Sequence, residues 1–415
     1  LSQNGGQQRG ARNAPPGKKL GKNGEQKVKK AVLIGLGLVV AAAVAALAIV
    51  PGYLESTTNV VEEHAPYEIG EASSALHESL VIADLHSDTL LWARDPLSRA
   101  DRGHVDVPRL VDGNVALQVF SVVTKVPQGL NYDENTADSD QITLLAMVQR
   151  WPARTWRSLL ERALYQADKL MAAEEDAPDA LKVVRTNADL EEVLSARAEG
   201  KEIVAGLLAT EGLHPLEGNV ANVKVLYDAG YRMMGLHHFF DNKLGGSLHG
   251  LSGAGLTDFG KEVVRELEAQ GVMIDVAHSS PAVVEDVLAM TDSPIFVSHT
   301  GVKGACNTAR NLEDDLMKRI AARGGVIGIG YWDGAVCKID PANVVKSLRY
   351  AADLLGADHV GLGSDYDGGT TVLFDTSELA VLTEEMRKAG FTDEEIRKIM
   401  GGNVIRVFKE QLPAG

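Results

Sequence analysis

Five of the 11 histidines stand just after short apolar runs: His86, His237, His238, His278 and His299. Carboxylates hold the same kind of position at Asp88, Glu211, Asp365 and Asp367. Neutral imidazoles and carboxylates together are the donor set of a catalytic zinc site, and no thiolate lies near these motifs. In His86-Ser87-Asp88 the two outer side chains of an extended segment point the same way, so they can hold one ion together. A bridging Glu211 would keep a second ion about 3.5–4 Å away, with His278 and His299 completing its ligands; such a pair turns a bridging water into hydroxide and polarises a carbonyl. Asp365 can supply the acid/base carboxylate that this chemistry still needs. Each residue alone has a plainer reading. A single histidine at a strand end is most often a hydrogen-bonded structural residue, and a single aspartate there is often a helix cap. Six strand ends giving histidine or carboxylate together point instead to one shared site.

The elements that must position these residues are legible as an alternation of short apolar runs and helical stretches. Strands are predicted at 81–85, 115–123, 203–209, 231–236, 272–277, 294–298, 325–330 and 359–363. Helices are predicted at 141–175, 217–229, 257–270, 281–290, 312–323, 341–356, 377–389 and 392–411. Near-continuous apolar strands flanked by helices fit a parallel sheet buried on both faces. A closed (β/α)8 TIM barrel puts all the candidate residues on its C-terminal face, where barrel enzymes build active sites; pattern alone also allows an open doubly wound sheet. No Gly-rich phosphate loop follows the first strand.

The chain has 415 residues and a net charge of -16, but its N-terminus is basic, with Arg9, Arg12, Lys18, Lys19, Lys22, Lys27, Lys29 and Lys30 against Glu25. The acidic remainder argues against nucleic acid as a partner. Residues 1–30 read as a disordered cytoplasmic tail and 31–50 as an uncharged apolar run of transmembrane length ended by Pro51-Gly52. Residues 51–75 read as a linker and 76–411 as the catalytic barrel. The basic flank predicts a single-pass protein, anchored in the membrane by this helix, with its N-terminus cytoplasmic and its catalytic domain extracytoplasmic, periplasmic or extracellular. A cleaved signal peptide is the competing reading.

The strings DLHSD (84–88), ATEG (209–212), GYRMMGLHH followed by Asn242, IDVAHSS (274–280), PIFVSHTGVKGACNTARN (294–311), HVGLGSDYDGG (359–369) and GGNVIRVF (401–408) resemble the membrane dipeptidase (renal dipeptidase) family of zinc peptidases. The resemblance runs from about residue 76 to 411, with the blocks in the family's order. It implies a barrel of the metal-dependent hydrolase type with two Zn²⁺. By resemblance His86 and Asp88 bind the first zinc, Glu211 bridges, and His278 with His299 binds the second. Asp365 matches the catalytic acid/base, His238 the residue contacting substrate or tetrahedral intermediate, and Arg310 the guanidinium that grips the free carboxylate of a dipeptide. His237 stands where the family usually has a small residue, and Asp367 competes with Asp365, which is favoured as nearer the strand end.

The resemblance also implies a Cys306–Cys337 disulfide and a homodimer. The alternatives are another binuclear metal hydrolase of the amidohydrolase type on the same barrel, or a binding protein that lost catalysis. Deaminase and phosphotriesterase relatives begin with His-x-His, whereas this chain has His86-Ser87-Asp88, and its ligand set is complete.

Overall fold

In the computed structural model, which describes residue 10 and residues 22–415, eight parallel strands close on themselves. They are β1 (Ile82–Ser87), β2 (Val115–Val123), β3 (Val204–Glu211), β4 (Tyr231–Gly235), β5 (Met273–Asp275), β6 (Phe296–Thr300), β7 (Val326–Ile329) and β8 (Val360–Leu362). Each pairs with its neighbour in sequence, and Leu362 of β8 lies opposite Asp84 of β1, which closes the ring. Of the two sheet arrangements the pattern allowed, the structure is the closed (β/α)8-like barrel. All eight strands fall within the predicted runs or within two residues of them, and every residue in them is buried. A strand covered on both faces needs apolar side chains at every position, which is why these runs do not alternate.

Helices fill the connections, and their starts are written in the sequence. Ser280 before Pro281 and Asp340 before Pro341 each accept a hydrogen bond from a first-turn N–H, with proline where a donor would otherwise be orphaned. Two predicted helices are broken. The 141–175 stretch divides into Gln141–Val148 and Leu159–Asp176 around Trp151-Pro152, with Ser158 capping the second. The 392–411 stretch is interrupted at Lys398–Gly402. There a Cβ on Gly401 would sit 2.2 Å from the Val81 carbonyl oxygen, so only glycine lets this turn approach β1. The helix Asn187–Ala198, begun by a reciprocal Thr186–Asp189 capping box, was not anticipated, nor was the short strand Leu181–Val183 that precedes it.

The N-terminal reading needs correction. Among the described residues no helix is long and apolar enough to cross a membrane. The transmembrane helix expected over 31–50 is therefore withdrawn, together with the membrane as a partner and the single-pass topology. The helix that forms has other bounds, running Lys22–Thr58 from within the basic tract through Pro51 and into the stretch expected as a linker. Its last residues belong to the barrel unit, which spans Val50–Gly415, and bring a buried Glu55 against Arg94 and Arg102. The rest of the expected tail, residues 1–21, lies outside the described residues except for residue 10.

Candidate metal centre

β1 delivers Asp84 and His86 two residues apart, and Asp88 follows directly. Inside the strand the Asp84 carboxylate accepts from the His86 N–H at 3.0 Å, from Gln118 Nε2 at 3.2 Å and from the Ser364 hydroxyl at 3.0 Å. This buried carboxylate ties β1 to β2 and to the end of β8, and so fixes the direction in which His86 leaves the strand. Asp275 does the same for β5 and β6, accepting from the Ala277 and Ser298 N–H groups, each at 2.9 Å, and from the Ser298 hydroxyl at 2.6 Å.

That last bond sets a tautomer. With its proton given to Asp275, the Ser298 oxygen can only accept, and it faces His299 Nδ1 at 3.0 Å and His86 Nδ1 at 3.4 Å. Both histidines then carry hydrogen on Nδ1 and turn the Nε2 lone pair inward, the arrangement by which neighbouring groups orient metal-ligating imidazoles. Asp84, Asp275 and Ser298 were not singled out from sequence. The signal was present, since Asp84 and Asp275 lie two and three residues before His86 and His278, and Ser298 directly precedes His299.

The inward atoms converge on Glu211 at the end of β3. Its Oε1 lies 3.0 Å from His278 Nε2, 3.3 Å from His299 Nε2 and 3.7 Å from His86 Nε2, while Oε2 lies 3.3 Å from His238 Nε2. His86 Nε2 is 3.7 Å from Asp88 Oδ1 and 3.8 Å from Asp365 Oδ1. Three groups of ligand atoms lie mutually within 4.8 Å: His86, Glu211 and His299; Glu211, His238 and His278; and His86, Asp88 and Asp365. His86 Nε2 and Asp88 Oδ1 are buried and make no hydrogen bond. A buried polar atom without a partner is costly, and a cation placed among these atoms removes that cost.

The charges point the same way. Burial pushes the Asp365 carboxyl up to about 7, with Asp88 adding to it, and raises Glu211 well above the carboxylate range, again with Asp88 contributing. Burial alone would depress His86, but Asp88 and Glu211 outweigh it and raise it to about 10. Burial, followed by Arg310 for His278 and by His86 for His299, holds those two well below the ordinary imidazole value. Neutral imidazoles at His278 and His299 beside crowded carboxylates, which without a cation draw a proton onto His86, mark a place where positive charge is stabilised.

The sequence candidates separate cleanly. His86, Asp88, Glu211, His238, His278, His299 and Asp365 meet around this centre, and Arg310 reaches its edge, 3.4 Å from His278 Nε2. His237 turns away, with Nδ1 3.0 Å from the Ser279 hydroxyl. Asp367 is wholly buried elsewhere, accepting from Thr89 Oγ1 at 2.8 Å, from the His104 N–H at 2.7 Å and from Arg94. His278 and Asp365 both have φ of 59°, a left-handed conformation that costs a non-glycine residue energy and is common at functional sites. A cavity of about 1490 Å³ opens over the centre, lined by Asp88, Glu211, His238, His278, Arg310 and Asp365, with Tyr132 and Trp332 beside Arg310. Cys306 and Cys337 form a disulfide joining the loop after β6, which carries Arg310, to the loop after β7, which carries Trp332.

The family model described as membrane dipeptidase (peptidase family M19) matches residues 71–414. The chain belongs to that family. Among curated relatives, dipeptidase verJ of Clonostachys rogersoniana is 29% identical over 316 residues, covering 74% of this chain and 75% of its own. Dipeptidase 3 of Mus musculus is 25% identical over 372 residues, covering 82% of this chain and 66% of its own. Among solved structures, the dipeptidase AC, a metallopeptidase of family M19, superposes with a TM-score of 0.66 at 25% identity, over 81% of this chain and 99% of that one. A Rhodobacter sphaeroides metallopeptidase liganded with a phosphinate mimic of L-Ala-D-Ala shares the fold, with a TM-score of 0.64 at 24% identity, over 80% and 99%. This M19 chain is a metal-dependent dipeptidase whose clustered ligands suit a binuclear centre.

Proposed function

We propose that the two ions are Zn²⁺, held by His86 and Asp88 on one side and by His278 and His299 on the other, with Glu211 shared between them. The observation that carries this is the approach of three imidazole Nε2 atoms to the single oxygen Glu211 Oε1, at 3.0, 3.3 and 3.7 Å. Imidazole and carboxylate without thiolate is a donor set suited to zinc. When bound, a zinc pair supplies a nucleophile at neutral pH and polarises the scissile carbonyl.

The chain's own groups do the rest. Arg310 is buried, with Nη2 donating to the His299 carbonyl at 2.9 Å, and among the described residues no carboxylate pairs with it. Its remaining N–H groups suit the free C-terminal carboxylate of a dipeptide, which selects short peptides by their chain end. Burial holds His238 at about 3, so it is neutral and has one N–H to place, toward the Lys125 carbonyl at 3.4 Å or toward the site on Nε2. On Nε2 that proton meets the negative charge developing on the substrate oxygen. Asp365 takes a proton from the attacking water and returns it to the leaving amine nitrogen.

The test is the purified protein with bound metal counted, assayed on L-L and L-D dipeptides with and without chelator. The expected result is two zinc ions per chain and dipeptide hydrolysis that chelation abolishes and zinc restores. A count near zero in protein that cleaves dipeptides would sink the zinc reading.

A further inference from the structure

The loop that carries Asp365 is braced in part by residues that precede the family-matched region. The loop carrying it, Asp365–Gly369, has two non-glycine residues in left-handed conformation, Asp365 at φ 59° and Asp367 at φ 63°. Such backbone persists only where its surroundings over-determine it. Gly368 offers no alternative packing, because a Cβ there would sit 2.3 Å from Asp365 Oδ1.

Two sets of contacts hold the loop. The first runs through charge. The wholly buried Asp367 is gripped by Arg94, and Arg94 Nε donates at 2.5 Å to Glu55, which is 1% exposed. Arg102 Nε donates to the other Glu55 oxygen at 2.9 Å. Without Glu55, Arg102 would keep only Asp101, and Arg94 would keep Asp367 and the Val105 carbonyl but lose the carboxylate that fixes its Nε side, so its grip on Asp367 would loosen. The second set is backbone pairing. The Gly369 N–H donates to Asn59 Oδ1 at 2.9 Å, the Val60 N–H to the Thr370 carbonyl at 3.1 Å and the Glu62 N–H to the Val372 carbonyl at 2.9 Å. Val60 and Val61 thereby pair in parallel with Thr371 and Val372.

The bracing groups on the N-terminal side, Glu55, Asn59, Val60 and Glu62, all lie in residues 55–62, whereas the family match begins at residue 71. We propose that the segment 55–62 is a positioning element of the active site: Glu55 through Arg94 and Asp367, and residues 59–62 through the loop backbone, hold the Asp365 carboxylate beside the metal centre. The inference rests on the acid/base reading of Asp365. Its consequence is that the barrel cut at the family boundary is an impaired enzyme.

The experiment uses the full chain and compares Glu55→Gln, Asn59→Ala, Asp365→Asn and the double variant Glu55→Gln/Asp365→Asn, with metal content and KM measured for each. Glu55→Gln is expected to lower kcat about tenfold while KM changes less than about twofold and bound metal is unchanged; Asn59→Ala, which removes no charge, lowers kcat by a smaller factor. A group acting through another loses its effect when that other is gone. Glu55→Gln is therefore expected to add no further loss to Asp365→Asn. Wild-type kcat in both Glu55→Gln and Asn59→Ala, or an independent multiplicative loss in the double variant, overturns the proposal. Unchanged kcat in Asp365→Asn alone overturns instead the reading of Asp365. If Glu55→Gln does not fold, Asn59→Ala decides: a kcat loss at constant KM supports the positioning role, and wild-type kcat overturns it.

Discussion

Replacing Arg310 by lysine keeps the charge and removes the fork. In the structure Arg310 Nη2 is already committed to the His299 carbonyl, and the guanidinium centre lies 5.2 Å from the Trp332 ring, so its plane is held and its other N–H groups are presented to the cavity. A dipeptide carboxylate can take two parallel bonds from such a group but only one well-placed bond from an ammonium. A hydrogen bond to a charged group is worth about 1.5–3 kcal/mol net, so losing one should weaken substrate binding roughly 10- to 150-fold. The carboxylate takes no part in the bond change and carries the same charge in ground and transition states. The loss should therefore appear in KM, with kcat within about a factor of three. Steady-state kinetics on one dipeptide and on its C-terminal amide provide the check. The wild type should handle the amide as poorly as the lysine variant handles the free acid, and the variant should lose little more on the amide. Equal KM for wild type and variant on the free acid, or wild-type indifference to amidation, would refute carboxylate capture by Arg310.

Other consequences are open to measurement. Asp365→Asn should lower kcat by about 10²–10⁴ while metal content stays near that of the wild type, and an unchanged kcat would remove the residue from the acid/base role. Stripping metal leaves Asp88, Glu211 and Asp365 crowded without counter-charge; at a zinc concentration 100 times Kd each bound ion contributes about 2.7 kcal/mol, so chelated protein should melt about 4 °C lower for each ion lost. Equal melting curves would contradict this. Lys169 gives a pH signature away from the metal centre. Its Nζ donates to the Leu90 carbonyl at 2.7 Å and to that of Trp92, and burial, with Arg94 adding, depresses it to about 7. Between pH 7 and about 10.4 the unfolded chain holds a proton there that the folded chain does not, so stability should rise with pH across that window. The gain should be no more than about 4 kcal/mol, because the residue is only half-buried. Denaturant titrations of wild type and Lys169→Met at pH 6.5 and 9 isolate it: the wild type should gain relative to the variant as pH rises, and parallel stabilities would show that Lys169 stays charged in the fold.

Much of this protein is local and therefore legible in one dimension. A strand buried on both faces must be apolar throughout, so β2 can be read off as VALQVFSVV to the residue. A helix start needs a side-chain acceptor for its orphan N–H groups, so Ser280-Pro281 and Asp340-Pro341 announce themselves. Metal-ligand types recur at strand ends because barrel chemistry needs them there, and on that ground His86, Asp88, Glu211, His278 and His299, which the fold brings together, could be named as candidate ligands before any coordinate. The blocks around them were distinctive enough to indicate the family.

What stayed hidden depends on side-chain direction and on partners distant in sequence. His237 and His238 are adjacent and chemically identical, and only the turn after β4 sends one toward Ser279 and the other toward Glu211. Asp365 and Asp367 share one short loop, yet Arg94, Thr89 and His104, more than 260 residues away in sequence, claim the second and leave the first to the cavity. The same distance concealed Glu55: an isolated carboxylate after an apolar run reads as solvated, and its burial exists only because the Lys22–Thr58 helix continues past Pro51 and brings it to Arg94 and Arg102. Composition and periodicity report what a segment can bury, whereas which polar atom meets which is settled only when the ring of strands closes and places remote loops side by side.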